Sequence, residues 1–140
     1  MLFRSPGLTD LIAGRVQLMF GNLPEFLPQI EAGKIKPLGT TYLQRSKFAP
    51  GIPTIAEQGF PGFETDSWYG IVAATSMPAA AVERMNAEVN RALSLASFSE
   101  ELDKRRLDKL GGSVQQFGAF LRSEIAKYAK VVADAHITID

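Results

Sequence analysis

The stretch Phe63–Thr75, FETDSWYGIVAAT, constrains the fold more than any other part of the chain. It opens after the turn residues Phe60-Pro61-Gly62, carries the single tryptophan and runs into an uninterrupted apolar segment, Tyr69 to Ala74. A continuous apolar run bounded by turn signals predicts a strand covered on both faces, in the middle of a sheet. Before it, short helical and extended patterns alternate; after it, long helical patterns dominate. That change predicts a passage from one folded unit to another.

Taken in order, Leu8–Ala13 reads as the last turns of a helix, closed by Gly14 in the left-handed role. Val16–Phe20 is a short apolar strand, turned over by Gly21-Asn22-Leu23. Pro24 then opens a helix where its missing N–H is no loss, with Phe26, Leu27 and Ile30 on its apolar face and Gly33 after its end. Ile35–Thr41 is the next strand, placed near an edge by Pro37. After the polar connection Tyr42–Pro53, Thr54 and Glu57 form a capping box on a short helix, Ile55–Gln58, stopped by Gly59. Pro78 precedes a long helix, Ala79–Ala96, with the stripe Val82, Met85, Val89 and Leu93. Ser97 is expected to cap Phe98–Arg106. Leu107–Leu110 reads as extended and Gly111-Gly112 as a turn. Ser113 with Gln116 is a second capping box, opening the longest helix, Val114–Ala135, before a short strand at Ile137–Ile139. The fold class is α/β.

Composition narrows the function. The 140 residues hold 15 basic and 15 acidic side chains, a balance that lacks the excess of Lys and Arg on which nucleic-acid or anionic-membrane binding rests. With no cysteine there is no disulfide, thiolate nucleophile or cysteine metal site. No apolar run reaches the roughly 18 residues of a membrane span, so no direct membrane insertion is expected. No signal-peptide pattern is seen at Met1–Gly7. Leu2-Phe3-Arg4-Ser5 is what CTC TTC CGA TCT encodes, the end of a common sequencing-library adapter. Met1–Ser5 is therefore expected to be an assembly artefact ahead of a truncated gene, with residues 1–6 outside the fold.

Little of the sequence points to catalysis. The sole histidine, His136, follows a long helix without a second His or any Cys, and suits a left-handed helix end better than a ligand role. Glu64 and Asp66 share a face if extended and are the candidate acid and base of a rival reading, a small α/β enzyme domain. No nucleophile elbow, Walker loop or dinucleotide fingerprint occurs. No cofactor or metal is implied. One binding argument stands: a strand ending at Gly21-Asn22 and feeding a helix at Pro24 presents backbone N–H groups where α/β proteins hold anions, although a tight turn with an Asn cap has the same pattern. Trp68-Tyr69 suits either core or pocket wall.

The order of these pieces resembles a known family. Gly14-Arg15-Val16-Gln17-Leu18-Met19-Phe20-Gly21-Asn22-Leu23-Pro24, followed by Ile30-Glu31-Ala32-Gly33-Lys34, is similar to the "GQVDVMFDNLP … IKAGK" pattern of the tripartite tricarboxylate transporter receptors, the Bug-type extracytoplasmic solute receptors. Pro53–Gly59 resembles their "PTVAEAG", Ser67–Gly70 their "SWYG", Met85–Asn90 their "LNAEIN", and Gly111–Ser113 with Gln116-Phe117 their "GGTPEQF".

The resemblance implies a type 2 periplasmic binding protein, two lobes closing over a small carboxylate that is handed to membrane permease subunits, without catalysis. The chain then looks like the C-terminal half of such a receptor, truncated at the N-terminus. Residues 7–63 would be the later part of the second lobe, 64–75 a hinge strand, and 76–140 the helices completing the first lobe. Gly21, Asn22 and Leu23 would line the cleft, with Ser67, Trp68 and Tyr69 on its hinge side. Gly21 stands where many members carry Asp, which favours a ligand without an amino group. Arg106 and His136 stand where glycine is frequent, so those helix ends are expected to be capped differently. A periplasmic location is implied by the family alone. A third reading, a helical interaction module, expects Ala79–Asp140 to fold without the first half.

Overall fold

A computed structural model describes residues 6–138. The expected artefact, Met1–Ser5, lies outside the described residues. The chain divides into two compact units, Met1–Gly70 and Ile71–Asp140.

In the first unit, α1 (Pro6–Ile12) buries Leu8 and ends at Gly14, whose φ of 72° lets the chain reverse. The N–H of Gly14 donates to Leu11 O at 3.0 Å and that of Arg15 to Asp10 O at 2.9 Å, the paired bonds of a Schellman end. Helix α2 (Leu23–Glu31) turns Leu27 inward to 3% exposure, against Ala49 and Ile52, with Leu23, Ile30 and Phe48 around them. Burying Leu27 contributes about 2 kcal/mol. Gly33, at φ 67°, closes α2 with the same pair of bonds, Gly33 N–H to Ile30 O and Lys34 N–H to Gln29 O.

Beyond α2 the chain comes back to a point at Thr40. Its N–H donates to Pro53 O and its C=O accepts from Ile55 N–H, each at 2.9 Å, an isolated parallel bridge to the fully buried Thr54. On the next residue, Thr41 O accepts from Thr65 N–H at 3.1 Å. Thr54 also carries the expected capping box: Glu57 N–H donates to its hydroxyl at 3.1 Å, and its own N–H donates to Glu57 Oε2 at 2.7 Å. The short 3-10 helix Ala56–Gln58 then stops at Gly59, φ 104°.

The second unit is helical. Helix α3 (Ala79–Ser94) contacts both α4 (Ala96–Lys104) and α5 (Val114–Asp134). Leu95 is extended and serves as the end of α3 and the start of α4 at once, so α4 begins ahead of Ser97, the cap expected from sequence. For α5 the expected box is present, Ser113 and Gln116 exchanging side-chain and backbone bonds. Arg106 (φ 58°) and His136 (φ 51°) are left-handed without being glycine. Each completes an ordinary Schellman pair, Leu107 N–H to Leu102 O and Ile137 N–H to Val132 O closing the wider loops. These ends are thus capped as glycine would cap them, against the expectation of a different cap.

The strand assignments need correction. Among the described residues no strand ladder forms: Val16–Phe20, Ile35–Thr41, Tyr69–Ala74 and Leu107–Leu110 remain irregular apart from the bridge at Thr40. Ile139 of the expected last strand lies outside the described residues. The element expected at the middle of a sheet is exposed instead, with Tyr69 at 86%, Ile71 at 65% and Val72 at 77%. A strand exists only when a neighbour takes up its N–H and C=O groups, and among the described residues that pairing goes no further than the bonds at Thr40 and Thr41. The α/β character therefore lies in the order of the pieces, not in a formed sheet.

Candidate functional site

The site expected at Gly21–Leu23 is built by the first turn of α2. Asn22 is extended (φ −75°, ψ 128°), and its C=O accepts from Glu25 N–H at 3.0 Å and Phe26 N–H at 3.4 Å. Its side chain makes no cap. Instead Oδ1 accepts from the Ser67 hydroxyl at 2.8 Å, across 45 residues of chain. With Oδ1 engaged, the carboxamide keeps its NH2 as the remaining arm, a donor. Pro24 has no N–H and those of Glu25 and Phe26 are spent within the turn, so Leu23 N–H is the helix-end donor not engaged there. The anion cradle expected from the sequence is thus narrower than a free helix end: one backbone N–H beside one carboxamide.

Ser67 is brought to Asn22 by the segment before it. The Thr65–Thr41 bond pins that segment to the chain at Thr40, which the Thr54 bridge holds in turn. Trp68 is half-buried, whereas Tyr69 stands in solvent. Leu23 faces the Leu27 cluster. The structure therefore joins Asn22 to Ser67 directly, sends Leu23 toward the core and leaves Tyr69 apart.

Gly21 has a neighbour that sequence reading assigned only to an apolar face. A Cβ at position 21 would lie 2.3 Å from Phe26 Cζ, so the ring occupies the space a side chain would need. The signal was a glycine just ahead of a helix whose first turn carries an aromatic. Next to Asn22, then, the turn shows an aromatic ring rather than a carboxylate.

For the rival enzyme reading, Glu64 is solvent-exposed and Asp66 half-buried. No group of three or more His, Cys, Asp or Glu suited to a metal occurs among the described residues, and no helix there is long and apolar enough to cross a membrane. Glu57 is held below its ordinary pKa, first by the Thr54 N–H and then by Arg45, whose Nε lies 3.0 Å from both carboxylate oxygens. That is a helix-capping carboxylate rather than a base poised for chemistry.

Comparison with known proteins follows the same lines. Residues 3–137 match the family model described as the tripartite tricarboxylate transporter family receptor. A UPF0065 protein from the tcbD-tcbE intergenic region of Pseudomonas sp. strain P51 is 35% identical over 131 residues, 93% of this chain and 39% of that protein. Protein BugT of Bordetella pertussis is 27% identical, over 92% of this chain and 40% of its own length. Among solved structures, R. palustris Rpa4515 with adipate is 38% identical with a TM-score of 0.80, and the periplasmic binding protein BugD is 25% identical with a TM-score of 0.78. They cover 96% and 95% of this chain, and 45% of each of those chains is matched. The chain thus spans about two fifths of the length of these curated relatives. The family model describes a receptor and BugD is named a periplasmic binding protein, so at the level of the family the comparisons favour a binding protein over the enzyme reading built on Glu64 and Asp66. With the motifs in order and residues 3–137 of its 140 matched by the family model, the chain belongs to the tripartite tricarboxylate transporter receptor family.

Proposed function

We propose that the chain is part of an extracytoplasmic, periplasmic receptor for a small carboxylate, which passes its ligand to membrane permease subunits, and that this part alone is impaired in binding. The observation that carries this is the Ser67–Asn22 hydrogen bond. It fixes a carboxamide with its NH2 as the remaining arm beside the Leu23 N–H, two donors suited to a carboxylate oxygen in a chain without charge excess. The adipate in the R. palustris relative is a carboxylate of this class. The Phe26 ring beside Gly21 favours a ligand whose body is apolar and lacks an amino group. In this reading residues 7–63 and 76–140 belong to different lobes of a type 2 periplasmic binding fold, joined by 64–75.

The test is calorimetry on a chimera in which the part of the adipate-bound relative not matched here is joined to this chain. Adipate should bind, and glutamate should bind more weakly. Asn22→Ala and Ser67→Ala should each weaken adipate about 10-fold, the worth of one charge-assisted hydrogen bond. The 140 residues alone should bind weakly or not at all. Unchanged binding in both variants would remove Asn22 and Ser67 from the site, and micromolar binding by the chain alone would contradict the need for the other part.

A further inference from the structure

The direction of the Asn22 carboxamide depends on where Ser67 stands, and Ser67 is held at one remove. No turn or bend separates it from Thr65, whose N–H donates to Thr41 O at 3.1 Å. Thr40, next to Thr41, is in turn gripped by Pro53 O and by Ile55 N–H. Gln58 adds a third tie between the same two segments. Its Nε2 donates to Leu38 O at 3.0 Å and to Thr54 O at 3.2 Å, so the two N–H bonds of one carboxamide span the bridge. The fit is close: a Cβ on Gly39 would lie 2.6 Å from that nitrogen. Asn22 is referred to the same stretch from the other side, since Leu27 of its helix packs against Ala49 and Ile52, just ahead of Thr54. The Ser67–Asn22 bond therefore closes a ring of contacts in which residues 49–58 are the common frame.

We infer that Gln58 is a positioning residue for carboxylate binding: by tying Leu38 to Thr54 it sets the reach of Ser67 to Asn22, and so the direction in which the Asn22 NH2 points. This rests on the ligand reading above and adds to it a residue outside both the Gly21–Leu23 turn and the segment that carries Ser67. Thr54 stands on the same path, but it is fully buried and its hydroxyl also caps the 3-10 helix, so replacing it disturbs packing and cap together. Gln58 is exposed and makes its two bonds with the tip of the side chain alone. Without them Thr65 and Ser67 hold their places for less of the time, and the ligand must restore that order when it binds.

A double-mutant cycle on the chimera defined above tests this, read by calorimetry with adipate. Gln58→Met keeps the length of the side chain and removes its donors. With Ser67 intact it should weaken adipate about 3-fold, the cost of ordering one side chain on binding. With Ser67→Ala already in place it should weaken adipate no further, because no hydroxyl is left to position. Gly39→Ala, whose methyl drives Nε2 off its two carbonyls, should repeat both results. In the 140-residue chain without ligand, the Thr65 amide should exchange about 10-fold faster in Gln58→Met, as a loosened bond opens more often. Three results overturn the inference: unchanged affinity in Gln58→Met with Ser67 intact, the same loss in both backgrounds, or an unaltered Thr65 exchange rate. The second is the mark of a residue that only stabilises the fold. The two readings fail differently. If Ser67→Ala and Asn22→Ala bind adipate as tightly as the parent, both fall. If those two weaken adipate while Gln58→Met does not, or does so whether or not Ser67 is there, this one falls alone.

Discussion

Asn90 holds both ends of one peptide residue: its Oδ1 accepts the Gly112 N–H at 2.9 Å while its Nδ2 donates to Gly112 O at 2.9 Å. Asn86, one turn earlier on α3, donates to the same carbonyl at 3.0 Å. Two asparagines at i and i+4 thus grip the glycine turn that starts α5. The approach is close enough that a Cβ on Gly111 would lie 2.9 Å from Asn90 Oδ1, and Gly112 itself sits at φ 127°. Here Gly111-Gly112 is a docking surface as well as a turn. Asn90→Ala should destabilise the helical unit by about 1–2 kcal/mol, the worth of a paired amide contact whose partners are left exposed. Asn86→Ala should do less, since its bond to the carbonyl is shared. Urea denaturation followed by helical circular dichroism measures both, and equal losses would show that the two-sided grip of Asn90 has no special weight.

The Gly21–Phe26 contact gives a paired test. Gly21→Ala places a methyl 2.3 Å from the ring, which must move, at a cost of about 1–3 kcal/mol as in overpacked sites. Phe26→Leu alone loses ring contacts. Together the two changes should cost less than their sum, because the smaller side chain vacates the space the methyl needs. Strict additivity in urea melts would mean that the ring does not fill the position.

What was legible in the sequence was local. Thr54 with Glu57, Ser113 with Gln116, and the glycines after α1, α2 and the short 3-10 helix were readable because a cap is settled within five or six residues. His136 at a left-handed helix end was readable for the same reason. The strands were not, because Tyr69–Ala74 has strand composition whatever lies beside it, while burial and pairing belong to its neighbours. Of the candidate site, Asn22 and Ser67 were each visible as residues in a motif. Their bond crosses 45 positions and no periodicity reports it. Phe26 was hidden because a helix face and a turn-filling ring ask for the same residue type.

The two left-handed non-glycine residues carry their own prediction. A Cβ in that region costs about 1–2 kcal/mol, and glycine removes it while adding back some freedom to the unfolded chain. His136→Gly should therefore stabilise the helical unit by about 0.5–1 kcal/mol, and His136→Val should destabilise it because β-branching sharpens the clash. Arg106 is a poorer test, since its side chain has interactions of its own to lose. Denaturation midpoints of the two His136 variants should move in opposite directions; a shared direction would mean that the turn has relaxed out of φ 51°.

Glu57 predicts how the first unit responds to acid. Its carboxylate accepts the Thr54 N–H and faces Arg45, so its pKa in the folded protein lies below the ordinary value of 4.5. A depressed pKa means that the folded state prefers the ionised form. The contribution is fully present above the unfolded value and is lost as pH falls through the folded one. Glu57→Gln keeps an acceptor for the Thr54 N–H but loses the charge, and so separates the two causes. The wild-type midpoint should exceed that of the variant at neutral pH, and the gap should close as pH drops below the unfolded value. Added salt should shrink the part due to Arg45, whose guanidinium lies in solvent. Thermal denaturation of both proteins across the acid range reads this directly, and a gap that persists at the lowest pH would trace the difference to the shape of the cap rather than to its charge.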